Sequence, residues 1–372
     1  MKKSHRIGIL AVALHLLLFS LAHAQLTTLP DGGNYKASVT ERIGITDITI
    51  NYSRPGVKGR EGKIWGQLVP VGYAEIGTGA AKSVPWRAGA NENTTIAFTT
   101  DVLVEGQPLA AGKYGFFVLY DPSGSTLIFS RNSTSWGSFT YDPKEDVLRV
   151  KVQPVPMDKE VERLKYEFTD QKENAATVAL EWEKLSIPFK VEVDYVKTQL
   201  ESFRRELRSD KAFTWEPWVQ AAQFCAQRNV DLDEGLLWAG QIADNPATRN
   251  FASLSAKAQI LALQGNTARA DSIMKEALPL GTMADIHVYG RQLLTEKKPK
   301  EALETFKFNY DKHPNEMMTN VGLARGYSAN GEYKKALEYM KKAQTLVPAT
   351  DPINKANIEK MIPILEQGKD IN

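Results

Sequence analysis

In the stretch IPFKVEVDYVKTQLESFRREL, residues 187–207, the hydrophobic period changes. Ile187, Phe189, Val191 and Val193 share one parity, with Lys190 and Glu192 between them, which is the pattern of a strand with one wet face. Past Asp194, Val196, Leu200, Phe203 and Leu207 recur every three or four residues, as on one face of an amphipathic helix. The chain therefore divides near Asp194 into a β half and an α half.

Upstream, a period of two recurs from about Lys36. Ile48, Ile50 and Tyr52 alternate with Thr49, Asn51 and Ser53; Ile96, Phe98, Val102 and Val104 keep one parity; Leu148, Val150 and Val152 alternate with Arg149 and Lys151; Val178, Leu180 and Trp182 form a further run. Turn chemistry separates these runs in EGQPLAAGKYG, YDPSGST, NSTSWGS and YDPKED. Many short strands with close turns predict an antiparallel, jelly-roll-like β-sandwich. In LAAGKY, Tyr114 is placed as a tyrosine corner, its hydroxyl bonding back to nearby backbone.

Downstream, the chain repeats. MMTNVGLARGYSANGEYKKALEYMKKAQTLVP, residues 317–348, carries Leu323, Ala324, Tyr327, Ala336, Met340, Ala343 and Pro348. About 34 residues earlier stand Tyr289, Gly290, Leu293, Ala302, Phe306, Asn309 and Pro314. A third unit has Lys257, Ala258, Leu261, Ala270, Met274 and Ala277, with Thr282 in place of the closing proline, and a fainter one runs through Trp218, Ala221, Ala222, Cys225, Trp238 and Pro246. Spacing and residue types resemble the tetratricopeptide repeat, so three to four helix–turn–helix units should stack into an all-α solenoid.

In the β half, SRPGVKGR (53–60), IWGQLVP (64–70), WRAGANENTTIAF (86–98), LAAGKYGFF (109–117), WGSFTYDPKEDVLRVKV (136–152) and ERLKYEF (162–168) occur in that order. Together they resemble a secreted bacterial family defined only as a domain of unknown function. The resemblance covers roughly Leu26–Asp194 and implies an exported β domain, with no activity attached. Between LVP and WRAGANE this chain carries VGYAEIGTGAAKSVP, longer than the turn usual in that family.

The N-terminus reads as a signal peptide. Lys2, Lys3 and Arg6 precede the apolar run IGILAVALHLLLFSLA, and Ala22-His23-Ala24 supplies small residues for cleavage before Gln25. Export to the periplasm or the extracellular space is expected, with no transmembrane segment in the mature chain. Cleavage removes three of the 46 Lys+Arg and none of the 44 Asp+Glu, leaving a net charge of −1 that gives no case for nucleic acid. Three of the five histidines also leave, so only His287 and His313 remain, both in the α half. With Cys225 the sole cysteine there is no internal disulfide and no Cys/His zinc set; no metal or cofactor is expected, and Cys225 reads as a buried helical thiol.

The candidate ligand-binding residues are Arg87, Asn91, Glu92, Asn93, Arg54, Arg60 and Trp136. Arg87 offers fork geometry to a carboxylate or phosphate and the amides suit sugar hydroxyls; as architecture, Arg87 would instead pair with Glu92 and the amides would hold the loop. Arg54, Lys58 and Arg60 form a basic glycine-containing loop that lacks phosphate-loop spacing and reads first as a turn. Trp65 and Trp136 read as core plugs, Trp136 being the better candidate for an exposed stacking surface. No Ser-His-Asp triad is available to the β half, and no catalytic residue is assigned. An alternative is a carboxylate-dependent hydrolase of an envelope or environmental glycan, with Glu92 and Asp142 or Asp146 as acid and base.

The expected organisation is a signal peptide at 1–24, a β-sandwich at 25–194, a linker helix at 195–214, tetratricopeptide-like repeats at 215–349 and a C-terminal helix or tail at 350–372. The expected function is an exported binding or scaffold protein. Its β module would take a glycan or small anion and its repeats a protein or peptide partner.

Overall fold

The computed structural model describes residues 33–76 and 79–372. The proposed signal peptide and its cleavage site lie outside the described residues. The chain forms two compact units, one through Gln199 and one from Leu200 onward.

The first unit is built on two antiparallel sheets. Six strands, β1 (Tyr35–Ile43), β2 (Thr46–Arg54), β5 (Thr95–Phe98), β8 (Gly112–Leu119), β9 (Ser125–Ser130) and β10 (Asp146–Val152), form one sheet in that order. The other has the order β11 (Val155–Thr169), β12 (Ala175–Glu192), β6 (Val102–Val104), β7 (Gln107–Leu109), and β3 (Ala74–Glu75) pairs with β4 (Ser83–Val84) apart from both. The sheets share a core containing Ile48, Ile50, Ile96, Phe116, Phe129, Leu180, Trp182 and Phe189. The expected β-sandwich is present, open-edged rather than a closed barrel. The β6–β7 turn uses Glu105 and Gly106, both with positive φ, as a two-residue hairpin requires. Tyr114 Oη donates to the Ala110 carbonyl at 2.7 Å, the contact expected of a tyrosine corner.

Strand β12 shows why the parity slips between Trp182 and Ile187. The two runs read as separate in sequence are one 18-residue strand. Glu183, in the left-handed region at φ 53°, sits where the register to β11 shifts. The left-handed residue at this irregularity reverses the side-chain parity of β12, so Val178, Leu180 and Trp182 before it and Ile187, Phe189 and Val191 after it all face the core.

In the second unit, α1 (Tyr195–Glu206), which spans the division, is followed by four hairpins. These are α2 (Glu216–Arg228) with α3 (Leu232–Ala243), α4 (Phe251–Leu263) with α5 (Thr267–Ala277), α6 (Met283–Thr295) with α7 (Pro299–Lys312), and α8 (Met317–Ala329) with α9 (Tyr333–Leu346). Helix α10 (Pro352–Glu366) packs on α9. Left-handed residues close the turn within each hairpin: Asn229 and Asp231, Gly265, Lys297 and Gly331. The small repeat positions Ala258, Ala302, Ala324 and Ala336 are buried, which allows close helix approach. Thr282, standing where other units have proline, caps α6 in a reciprocal box with Asp285. Lys257, where the other units have an apolar residue, keeps its buried ammonium paired with Asp244. Cys225 is buried, and burial pushes its thiol up to about 11, far from a nucleophile's range.

Candidate functional site

The polar loop after β4 feeds two clefts, one on each side. The first, about 290 Å³, is lined by Lys36 and Ser53 from β1 and β2, Lys113 from β8, Glu92 and Asn93 from the loop, and Ser133–Ser135 from the β9–β10 connection. Glu92 accepts from Lys36 Nζ at 2.6 Å and from Ser53 Oγ at 3.3 Å. These contacts, Lys36 foremost, hold its carboxyl below the usual range, so it is an anion rather than a proton donor at neutral pH. Asn93 is 6% exposed. Its backbone N–H reaches the Ser135 carbonyl at 3.2 Å, yet both side-chain amide atoms are buried with no partner among the described residues. A side chain on Gly115 would strike the Asn132 carbonyl and the Asn93 amide, so glycine there lets the amide fit.

Arg87 belongs to the other side. Its Nη1 donates to the Asn91 carbonyl at 3.0 Å, and Asn91, at φ 57°, accepts on its side chain from Asn34 at 3.3 Å. The Arg87–Glu92 pair does not form, because Glu92 faces Lys36 across the hairpin. The Arg87 cleft, about 140 Å³, is walled by Leu68, Ile76, Val84, Trp86 and Phe139.

The remaining candidates separate into architecture and surface. Arg54 Nε donates to the Leu164 carbonyl at 2.8 Å, while Arg60 bonds back to the Val57 and Gly56 carbonyls at 2.9 and 2.6 Å. Both side chains brace backbone, and neither lines these two clefts. Trp65 packs as a plug, its ring centroid 5.6 Å from Trp86 and 6.1 Å from Trp182. Trp136 departs from the core expectation: it is 60% exposed and lines neither of these clefts. The acid pair of the hydrolase alternative is not assembled. Asp142 caps a short 3₁₀ turn, Asp146 holds Arg149 and the Tyr141 hydroxyl, and neither lines the Glu92 cleft.

A third cleft, in the helical unit, was not anticipated. About 170 Å³ in volume, it lies between first helices of successive repeats and α10, with His287 and Arg291 from α6, Met317, Met318, Val321 and Arg325 from α8, and Met361 from α10. Among the described residues no acidic side chain lines it. Arg291 is exposed and has no ion-pair partner among the described residues. Arg325 Nη1 reaches the Ile371 carbonyl and Asn372 Oδ1 at 3.4 and 3.2 Å, and Nη2 approaches Met361 Sδ at 3.6 Å. The signal was in the sequence as helical spacing: 287 and 291 on one turn, and 317, 321 and 325 along one stripe.

His287 in this groove sits against Phe306 at 5.6 Å, with Nδ1 buried and without a hydrogen-bond partner among the described residues. Burial, then Arg291 and Arg325, lower its pKa to about 4. A depressed histidine takes up protons in the unfolded state first. Stability linked to His287 is therefore complete above its unfolded pKa of 6.5 and is lost as pH falls toward about 4. The loss reaches about 3 kcal/mol. Urea unfolding of wild type and His287→Gln between pH 7 and 4.5, followed at 222 nm, checks this: the wild type should lose more stability than the variant over that interval.

Among the described residues no group of three or more His, Cys, Asp or Glu is placed to hold a metal, and no helix is long and apolar enough to cross a membrane.

Residues 35–191 match a family described as a protein of unknown function, DUF2911; the match covers the sandwich and leaves the helices outside it. No curated protein matches the chain. Solved structures similar to it include a chain of the APC/C hetero-tetramer Cut9–Hcn1, at 15% identity and TM-score 0.30, covering 46% of this chain and 35% of that one. This chain thus spans about a third of that relative. MamA 41-end from Desulfovibrio magneticus RS-1 is 21% identical with TM-score 0.27, over 42% of this chain and 97% of that one. YrrB, described as a TPR protein with an unusual peptide-binding site, is 14% identical with TM-score 0.28, over 45% and 87%.

Proposed function

We propose that this is an exported binding and scaffold protein in which a ligand-binding β-sandwich is joined to a repeat domain that takes a peptide or protein partner. Export to the periplasm or beyond rests on the basic, apolar and small-residue order of residues 1–24, and the domains follow the boundaries read from sequence.

The observation that carries the partner reading is the groove of α6, α8 and α10. Methionines adapt to varied apolar side chains, and two guanidiniums stand there without an acidic side chain in the lining. A partner segment that places Asp or Glu beside apolar residues satisfies both features.

The test is fluorescence anisotropy with two labelled peptides of identical apolar content, one carrying Asp and Glu and the other Lys. The acidic peptide should bind more tightly, and its affinity should fall with salt. Arg291→Glu, at an exposed position, should weaken it by about tenfold or more, equivalent to about 1.4 kcal/mol. Equal binding of the two peptides, or an unchanged affinity in the variant, would refute the reading.

A further inference from the structure

The Arg87 cleft differs in kind from the polar Glu92 cleft behind it. Its walls are apolar: Leu68, Ile76, Val84, the Trp86 indole and Phe139. The guanidinium is half-buried among them, lying 6.0 Å from the centre of the Phe139 ring. Gly137, at φ 62°, admits it, since a Cβ there would fall 2.6 Å from Nη1. Of the five N–H donors of an arginine, one has an acceptor among the described residues, the Asn91 carbonyl. No carboxylate among the described residues lies within ion-pair distance of it. A guanidinium taken out of water without a counter-ion is costly, and the cost is recovered when an anion enters the same low-dielectric space.

We infer that this cleft binds an organic carboxylate with an apolar body, the carboxylate forked onto Arg87 and the hydrocarbon lying between Leu68, Ile76 and Phe139. The free face of the guanidinium selects the anion, because a planar fork matches a carboxylate with two parallel hydrogen bonds. The walls reject a small hydrated anion, which would gain no apolar burial. The volume is below the range of drug-sized ligand sites, so the cleft takes a short acid or the end of a longer one. Leu68, which lines the cleft and is 49% exposed, extends the apolar surface to the rim and would cover part of a longer chain. This inference deepens the reading of the sandwich as a ligand-binding module and is independent of the helical groove.

Calorimetric titration of the full chain with acetate, hexanoate, octanoate, octan-1-ol and sulfate tests it. Affinity should rise from acetate to octanoate, and octanol should bind at least about tenfold more weakly than octanoate. Arg87→Met should abolish the preference for acid over alcohol. Because that change also removes the bond to the Asn91 carbonyl, Leu68→Ser, at an exposed rim position, serves as a second variant and should weaken octanoate while leaving the melting temperature unchanged. Octanol binding as well as octanoate, sulfate or acetate binding as tightly, no binding by any acid, or no effect of either variant would each overturn the inference. The acidic peptide is titrated in the same samples. If peptide binding persists while octanoate fails, only the cleft assignment falls; if octanoate binds and the peptide does not, the groove reading alone falls.

Discussion

Phe306→Ala is expected to lower the stability of the helical unit by about 3–5 kcal/mol, the usual cost of emptying a buried aromatic site. Phe306 is 1% exposed and projects from α7 into a cradle made by the absence of side chains. A Cβ on Gly290 of α6 would lie 2.5 Å from its ring; on Gly322 and Gly326 of α8 the distances would be 2.7 and 3.0 Å. Three glycine backbones therefore form the floor of the ring's site. Truncation leaves a cavity that these helices can close only by moving as whole elements, so relaxation recovers little. Phe306→Leu, which keeps most of the volume, should cost much less. Urea unfolding followed at 222 nm reads both; similar small losses for Ala and Leu would show that the cradle does not hold α6 against α8.

The second large effect is expected at Trp182, 1% exposed in the sandwich core. Its ring stacks on Trp86 at 6.2 Å and meets Trp65 edge-on, and its carbonyl accepts from Trp65 Nε1 at 3.2 Å. Trp182→Ala should cost the sandwich about 3–5 kcal/mol. Its own indole N–H is buried without an acceptor among the described residues. Trp182→Phe removes that unpaired donor along with some volume, so its net cost should be a small fraction of the alanine cost. Near-ultraviolet circular dichroism in urea follows this core. A phenylalanine variant as unstable as the alanine variant would mean that the indole N–H is bonded and that the aromatic cluster depends on it.

The parts of this fold that were legible in sequence are those set by local periodicity. Leu148, Val150 and Val152 are buried while Arg149 and Lys151 are exposed, as alternation requires. The positions of the 34-residue repeat, Ala302 with Ala336 and Phe306 with Met340, are buried in equivalent helices. What was not legible depends on residues far apart in the chain. Glu92 found Lys36 rather than Arg87 because β1 pairs with β2 and brings Lys36 opposite Ser53, beside the loop. The sequence does not show that the guanidiniums of the basic loop at Arg54–Arg60 are taken up by carbonyls of β11 and of the loop itself. The helical groove needed three elements stacked in register before its methionines and arginines became one surface. The bulge at Glu183 was visible only as a change of parity.

The central claim, that the groove of α6, α8 and α10 takes an acidic, apolar partner segment, is tested most directly through its methionines. With methyl-labelled methionine, Met317, Met318 and Met361 report the groove, while Met157 in β11, Met274 in α5 and buried Met340 in α9 report the rest. Titration with the acidic peptide should shift the methyl resonances of Met317, Met318 and Met361 and leave Met157 and Met274 in place. Shifts confined to Met157 or Met274, or no shift at peptide concentrations that saturate the anisotropy signal, would place the binding elsewhere and contradict the account.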